Sequence, residues 1–252
     1  MAWWTLPFGL LVGLVMGSLG GGGAILTVPL LVYLLHQSPH AAAEGSLVII
    51  AISSLIGLWP HARAGRVRWL DGLVFGALGI VGSMVGSAAA ARIPGELLLS
   101  LFSALLLVVA GVMLRSRRRG RPDGSGVARP FWQLLLTATG VGLLTGFFGV
   151  GGGFAVVPAL ILVLGFGVRE AIATSLLVIA INCLTALASR LAIGVHLDWA
   201  VILPFALGAS AGSLGGARIA RRADPAALQL AFAWLLVLLS VVIGAQNIPR
   251  LF

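Results

Sequence analysis

Two glycine-rich stretches with nearly the same sequence decide how this chain folds: Gly17-Ser-Leu-Gly-Gly-Gly-Gly-Ala-Ile-Leu-Thr-Val-Pro29 and Gly146-Phe-Phe-Gly-Val-Gly-Gly-Gly-Phe-Ala-Val-Val-Pro158. They lie 129 residues apart, and aliphatic residues further along match at the same offset. These matches pair Ala42, Ser46, Leu47, Ile50, Ala51 and Ile52 with Ala171, Ser175, Leu176, Ile179, Ala180 and Ile181. Glycine richness alone cannot align such residues, so the chain is an internal repeat of two halves.

The composition indicates a membrane protein. Of the 252 residues, 60% are hydrophobic and 9% are charged, against roughly 25% charged in a typical soluble domain. Apolar runs, most of them near the roughly 20 residues that a spanning helix needs, occur at 3–19, 24–36, 41–60, 70–91 and 97–114, and again at 131–147, 153–166, 171–193, 199–220 and 226–246. We therefore expect an all-α polytopic membrane protein in which each half has a glycine-broken re-entrant or discontinuous helix and three transmembrane helices.

The two halves are joined by a basic linker. The predicted organisation is a first transmembrane repeat over residues 1–114, a cytoplasmic linker over 115–130 and a second transmembrane repeat over 131–252. Arginine, glycine and proline dominate the linker, which has no apolar face to bury. It is expected to be a solvated loop that anchors the topology, and an anionic-lipid patch is the alternative.

The arginines distinguish two arrangements of the halves. If each glycine-rich segment forms a re-entrant hairpin, each half crosses the membrane an odd number of times and the halves are inverted; thirteen arginines then share one face and three lie opposite. If the segment belongs to one broken helix that crosses the membrane, the halves are parallel and the split is 11 to 5. Because cytoplasmic loops carry an excess of arginine, inverted repeats are favoured.

The glycine clusters are the predicted substrate site. Gly20, Gly21, Gly22 and Gly23, and Gly149, Gly151, Gly152 and Gly153, leave their backbone N–H groups unshielded. Each cluster precedes a short apolar helix, whose N-terminal donors and positive dipole end favour an anion. The alternative is that the glycines only allow close helix packing, the interpretation adopted for Gly76, Gly79, Gly82, Gly86, Gly208, Gly212, Gly215 and Gly216.

Polar residues after each cluster are candidates for the rest of the site. Ser46, Thr174 and Ser175 stand at similar depth in the two halves, and the deeper candidates are Ser53, Ser54, Asn182 and Cys183. Hydroxyl groups could instead bond back to their own helices.

Three ionisable residues extend the candidate set. Glu44 is a candidate proton relay or simply a carboxylate stabilised at a helix N-terminus. His61 and Arg190 could attract an anion into a vestibule or act as interfacial anchors.

The repeated motif Gly-x-x-Gly-x-Gly-Gly, followed by apolar residues and proline, resembles the sulfite exporter TauE/SafE family over essentially the whole chain. Ala-Thr-Ser-Leu at Ala173–Leu176 and Gly-x-x-x-Asp-Trp at Gly194–Trp199 add to the likeness. The resemblance implies transport, often outward, of sulfite, organosulfonates or related sulfur oxyanions across a bacterial-type inner membrane. Glu44-Gly45 replaces the Ala173-Thr174 of the second half, which leaves the substrate and the coupling open.

The charges and the single cysteine predict which partners and cofactors the chain has. We expect a small sulfur-containing anion and membrane lipid as partners, with no nucleic acid, because the net charge of +9 comes from arginines between apolar runs. No cofactor or metal is expected, since a single cysteine provides no ligand pair. The chain is not expected to be an enzyme. A passive anion channel and a structural membrane subunit remain alternatives, and a homodimer stays open.

Overall fold

The computed structural model describes residues 3–35, 37, 39–90, 95–118, 131–148, 153–191 and 197–247. Within these ranges the chain forms ten α-helices and no strand: α1 Leu6–Leu19, α2 Gly22–Pro29, α3 Pro39–Arg63, α4 Trp69–Ala90, α5 Gly95–Arg118, α6 Phe131–Phe148, α7 Gly153–Leu162, α8 Val168–Leu191, α9 Trp199–Arg222 and α10 Pro225–Asn247. A 3₁₀ turn, Trp3–Thr5, precedes α1, and a π-helical turn, Leu30–Leu34, continues α2.

The prediction of an all-α polytopic membrane protein is confirmed. In the part of the chain that the structure describes, five helices contain segments long and apolar enough to cross a membrane: Glu44–Arg63, Trp69–Gly86, Val168–Ala188, Trp199–Arg222 and Pro225–Ala245. Shorter apolar helices cover Trp3–Leu19, Gly23–Leu34, Ser100–Arg115 and Trp132–Thr145. These elements coincide with the predicted apolar runs, and α5 continues to Arg118, three residues beyond Arg115 where the linker was predicted to begin.

The chain reverses direction between α1 and α2. A methyl group on Gly23 would lie 2.6 Å from the carbonyl oxygen of Val12 and 2.5 Å from Cβ of Met16. A helix that simply continued would carry Gly23 about 10 Å beyond Met16 at 1.5 Å per residue. Leu31 packs in one cluster with Val12, so the return segment follows α1 back toward its start. The pair forms a hairpin with its tip at Gly20–Gly21.

Glycines join α1 to α9 along their whole contact. Gly9, Gly13 and Gly17 face the backbone of Phe205, Ala209 and Ser213, and Gly208, Gly212 and Gly216 face the backbone of Leu6, Leu10 and Leu14. A Cβ on any of these glycines would overlap a carbonyl oxygen of the other helix. The residue order shows that the helices run parallel. Small residues at every fourth position allow this close approach in a membrane.

The helices α4 and α6 repeat that contact. Gly82 and Gly86 face the backbone of Thr139 and Leu143, and Gly142 faces Gly79. Since α6 is the repeat of α1 and α9 is the repeat of α4, the first helix of each half packs on the fourth helix of the other half.

The last helices of the two halves, α5 and α10, pack against each other in opposite directions. Ser103 Oγ donates to the Ser240 carbonyl and Ser240 Oγ donates to the Ser103 carbonyl, both at 2.8 Å. Further along, the Gln229 side-chain amide donates to the Met113 carbonyl at 3.4 Å. Between the pair α1 with α9 and the pair α4 with α6, α3 packs on α8.

One glycine was interpreted wrongly from the sequence. Gly215 was assigned to helix packing, but a Cβ there would meet no atom within 4 Å; the same is true of Gly140. Both positions lie on helix faces without a close neighbour, so they serve as controls for the glycines that do pack.

We predict that Gly13→Ala destabilises the protein while Gly140→Ala and Gly215→Ala do not. Overpacking of a tight contact typically costs about 1–3 kcal/mol, whereas alanine at an open helical site gains up to about 1 kcal/mol in helix propensity. Thermal unfolding of the purified protein in detergent measures the difference. A Gly13→Ala protein with the unfolding midpoint of the wild type would refute the contact between α1 and α9.

Candidate functional site

One glycine of the first predicted cluster meets one glycine of the second in the interior of the bundle. Gly21, at the tip of the first hairpin, contacts Gly153, the first residue of α7. A Cβ on Gly21 would overlap the Gly153 carbonyl, and a Cβ on Gly153 would lie 2.7 Å from the Gly21 Cα. The N-termini of the short helices α2 and α7 are thereby brought to one place, where their first N–H groups lack intrahelical partners.

Gly20 is required at the tip for two reasons. Its backbone has φ 71° and ψ −126°, a combination that is open almost only to glycine. A Cβ would also lie 2.5 Å from Ser175 Oγ on α8 and 3.1 Å from a methyl carbon of Val157 on α7. The end of α1 is therefore enclosed by elements of the second half.

The other glycines of the predicted site divide into two groups. Gly22 begins α2, and Gly23 packs on α1. Gly149, Gly151 and Gly152 lie outside the described residues. For the described glycines Gly21, Gly23 and Gly153, backbone atoms of neighbouring segments occupy the space that a side chain would need.

Several predicted hydroxyls bond to their own helices. Ser175 donates to the Ile172 carbonyl at 2.8 Å, Ser53 to Ile49 at 2.7 Å, and Ser54 to Ile50 at 2.6 Å. For Ser53 and Ser54 the structure therefore shows the alternative to a substrate site, in which the hydroxyl group bonds to a carbonyl of its own helix. Ser46 is buried on α3.

Thr174 connects α8 to the turn between α3 and α4. Its hydroxyl oxygen accepts a hydrogen bond from the backbone N–H of Arg68 at 3.2 Å, and the residue is fully buried. The hydroxyl therefore holds this turn in place, a role that spacing along the sequence could not indicate.

The remaining predicted residues are spread over α3 and α8. Glu44 is half-buried in the second turn of α3. Asn182 is half-buried, with an Oδ1 that has no hydrogen-bond partner among the described residues, and Cys183 is fully buried among apolar side chains. Arg190 belongs to the last turn of α8, and its side chain lies outside the described part. Among described residues, no group of three or more His, Cys, Asp or Glu could hold a metal ion.

His61 supports the end of α1. Its Nε2 lies 3.3 Å from the Gly17 carbonyl oxygen, one of the terminal carbonyls that a helix leaves unpaired. Because a carbonyl can only accept, Nε2 carries the hydrogen. The ring is almost completely buried, and Nδ1 has no partner in the part of the chain that the structure describes.

Arginines from three segments gather beside His61, a cluster that the sequence analysis treated only as a topology signal. Arg66 lies in the turn after α3, Arg169 in the first turn of α8 and Arg221 in the last turn of α9. Burial, and then the positive charges of Arg169 and Arg221, hold the pKa of Arg66 below its ordinary value. The three guanidinium groups therefore form one local region of positive potential.

Comparisons with known proteins find similarity to membrane transporters. The chain is 35% identical over 223 residues, 86% of its length and 84% of the relative's, to a "Probable membrane transporter protein" of Xylella fastidiosa (strain 9a5c). It is 29% identical to "Probable membrane transporter protein YunE" of Bacillus subtilis (strain 168) over 264 residues, 95% and 94% of the two chains. No solved structure matches the chain.

The family comparison covers nearly the whole chain. The sequence model of the family described as "Sulfite exporter TauE/SafE" matches residues 5–243. That range runs from the turn before α1 into the last turns of α10 and includes the short helices α2 and α7. A match of this length, together with the similar transporters, identifies the chain as a membrane transporter and not an enzyme, and as a member of the sulfite exporter TauE/SafE family.

Proposed function

We propose that this transporter carries a small sulfur oxyanion, such as sulfite or an organosulfonate, outward across the inner membrane. The anion binds where the N-termini of α2 and α7 meet. The observation that carries the proposal is the backbone contact between Gly21 and Gly153.

Electrostatics explains why that contact favours an anion. Each helix N-terminus is equivalent to roughly half a positive charge, so two of them side by side at membrane depth repel each other. An anion between them replaces the repulsion by two attractions and accepts hydrogen bonds from unpaired N–H groups. Transporters commonly build their substrate sites from discontinuous helices in this way.

The chemical class of the substrate is supported by the family description, which names sulfite. The printed names of the relatives say only that they are probable membrane transporters. Sulfite and sulfonates are compact and offer three oxygen acceptors, which suits a site made of backbone donors.

We also propose that the two halves are inverted in the membrane, with Arg66, Arg169 and Arg221 on the cytoplasmic side. Support comes from α5 and its repeat α10, which run in opposite directions. The link from Arg169 Nη2 to the Ala223 carbonyl, 2.9 Å, holds the start of α8 beside the end of α9. An arginine-rich end is the expected cytoplasmic end.

We predict that single cysteines introduced on a Cys183→Ala background react with reagent from only one side of the membrane, and that the side depends on the position. Ala64→Cys, in the turn after α3, and Asp224→Cys, after α9, should react only with reagent supplied from the cytoplasm. Asp198→Cys, before α9, should react only from outside. The measurement is labelling with a membrane-impermeant maleimide in intact cells and in inverted vesicles. Ala64 and Asp224 labelling from different sides would contradict the inverted arrangement.

For the substrate site, we predict that Gly22→Ala and Gly151→Ala weaken sulfite binding while Gly140→Ala does not. The added Cβ keeps the anion away from a backbone N–H, and a donor left unsatisfied costs roughly 1–3 kcal/mol, which is about a 5- to 150-fold rise in the dissociation constant. The test is sulfite flux and counterflow in liposomes, with protein that remains monodisperse, against sulfate, chloride and taurine.

Two outcomes of the flux experiment would overturn the proposal. Wild-type sulfite affinity in well-folded Gly22→Val and Gly151→Val proteins would remove the glycine clusters from the site. Flux that does not saturate and shows no counterflow would identify a passive channel.

A further inference from the structure

A second region of the molecule has the chemistry of an anion site. The turn that contains Arg66 is tied to α8 because the Arg68 N–H donates to Thr174 and Arg68 Nε lies 3.4 Å from Glu170 Oε2. The start of α8 is in turn tied to the end of α9 by Arg169. Arg66, Arg169 and Arg221, here called the arginine cluster, therefore come together from three segments that are far apart in the sequence.

Two donors in the arginine cluster are buried without a partner. Arg66 Nη1 and Arg169 Nε are shielded from solvent and make no hydrogen bond within the part of the chain that the structure describes. A buried donor of a charged group that stays unpaired is costly, and native proteins rarely leave one so. Such groups indicate that an acceptor belongs at this position.

Neighbouring carboxylates are engaged elsewhere. Asp71 and Glu170 both pair with Arg68, at 3.7 and 3.4 Å, and the Arg68 guanidinium also covers the ring of Phe166. Both of these ion pairs use Arg68, and neither involves an arginine of the cluster.

The arginines of the cluster are not repeated at the matching positions of the other half. At the repeat offset, Arg169 corresponds to His40 and Arg221 to Ala91, while Arg66 corresponds to Val195 or His196. The two halves share the helices that form this end of the bundle but not the arginines. The cluster is consequently a property of one end of the molecule, added to a fold that is otherwise nearly symmetrical.

We propose that the arginine cluster binds a small free oxyanion, at a site separate from the meeting point of α2 and α7. Guanidinium N–H groups bind the oxygens of such an anion in pairs, and the partial burial of Arg66 and Arg169 strengthens the interaction. His61 lies next to the cluster and contacts the Gly17 carbonyl at the end of α1, which places the site near the tip of the α1–α2 hairpin. Only the choice of sulfite as a probe rests on the proposed function.

Anion-dependent stabilisation of the full chain tests the proposal. The purified protein in lipid-free zwitterionic detergent is titrated with sodium sulfite or sodium sulfate at constant ionic strength, with chloride as the replacement ion. An anion that binds the folded state raises the unfolding midpoint with its concentration. Arg66→Gln and Arg169→Gln should raise the dissociation constant about tenfold or more, the loss expected for one hydrogen bond to a charged group.

A matched control separates the site from general electrostatics. Arg222→Gln removes the same charge from the end of α9, where Arg222 is exposed, unlike the partly buried Arg66 and Arg169. The dissociation constant of this variant should stay within about twofold of the wild type, because exposed single charges contribute little. Arg66→Lys, which keeps the charge and loses the paired N–H geometry, should bind more weakly than the wild type.

Four results would overturn the proposal. The first is equal effects of Arg66→Gln and Arg222→Gln, and the second is stabilisation by chloride equal to that by sulfite and sulfate. The third is stabilisation by added phosphatidylglycerol alone that disappears in Arg66→Gln, which would make the site one for a lipid headgroup. The same titration on a Gly22→Val background separates the two sites. The fourth result is loss of all anion binding in the Gly22→Val protein together with an unchanged dissociation constant in the Arg66→Gln protein. It would assign the binding to the central site and exclude the arginine cluster.

Discussion

Contact between bare backbones is the constraint on which this structure depends. Lipid is as apolar as the side chains that face it, so helices in a membrane gain little from hiding apolar surface and associate through close packing. The pairs α1 with α9 and α4 with α6 achieve this with glycines at every approach. A contact of the same kind between Gly21 and Gly153 brings the N-termini of the short helices α2 and α7 together. The meeting of these helices, and the anion site proposed there, therefore depend on packing along the whole length of the longer helices.

The fold and the charge distribution have different symmetries. Exchange of the two halves maps α1 with α9 onto α6 with α4, and α5 with α10 onto itself. The arginine cluster has no such counterpart, because the matching positions hold His40, Ala91 and Val195 or His196. A nearly symmetrical arrangement of helices thus carries an asymmetrical distribution of charge. Under the proposed transport of an anion, the asymmetry changes how often the anion reaches each end of the protein, and it leaves the overall equilibrium of transport unchanged.

The sequence predicted the helices well because a helix is a local, periodic property. Apolar runs mark the elements without knowledge of their neighbours. Features that depend on residues far apart were not accessible. Arg66, Arg169 and Arg221 are spread over more than 150 positions, and the partner of Thr174 is a backbone group 106 residues away. Gly215 shows the converse, since a glycine in the right sequence pattern can still face open space.

The swapped pairing of α1 with α9 also constrains the order in which the protein can be assembled. The groove on α1 that receives α9 is made of Gly9, Gly13 and Gly17, yet its partner begins at Trp199 and is synthesised last but one. At about 5–20 residues per second, the ribosome needs roughly 10–40 s to produce the intervening chain. If α1 enters the bilayer as it is made, its glycine face has no α9 to pack against during that interval. The topology therefore predicts that another small-residue helix can dock in that groove too early, and that such docking is a route to misassembly.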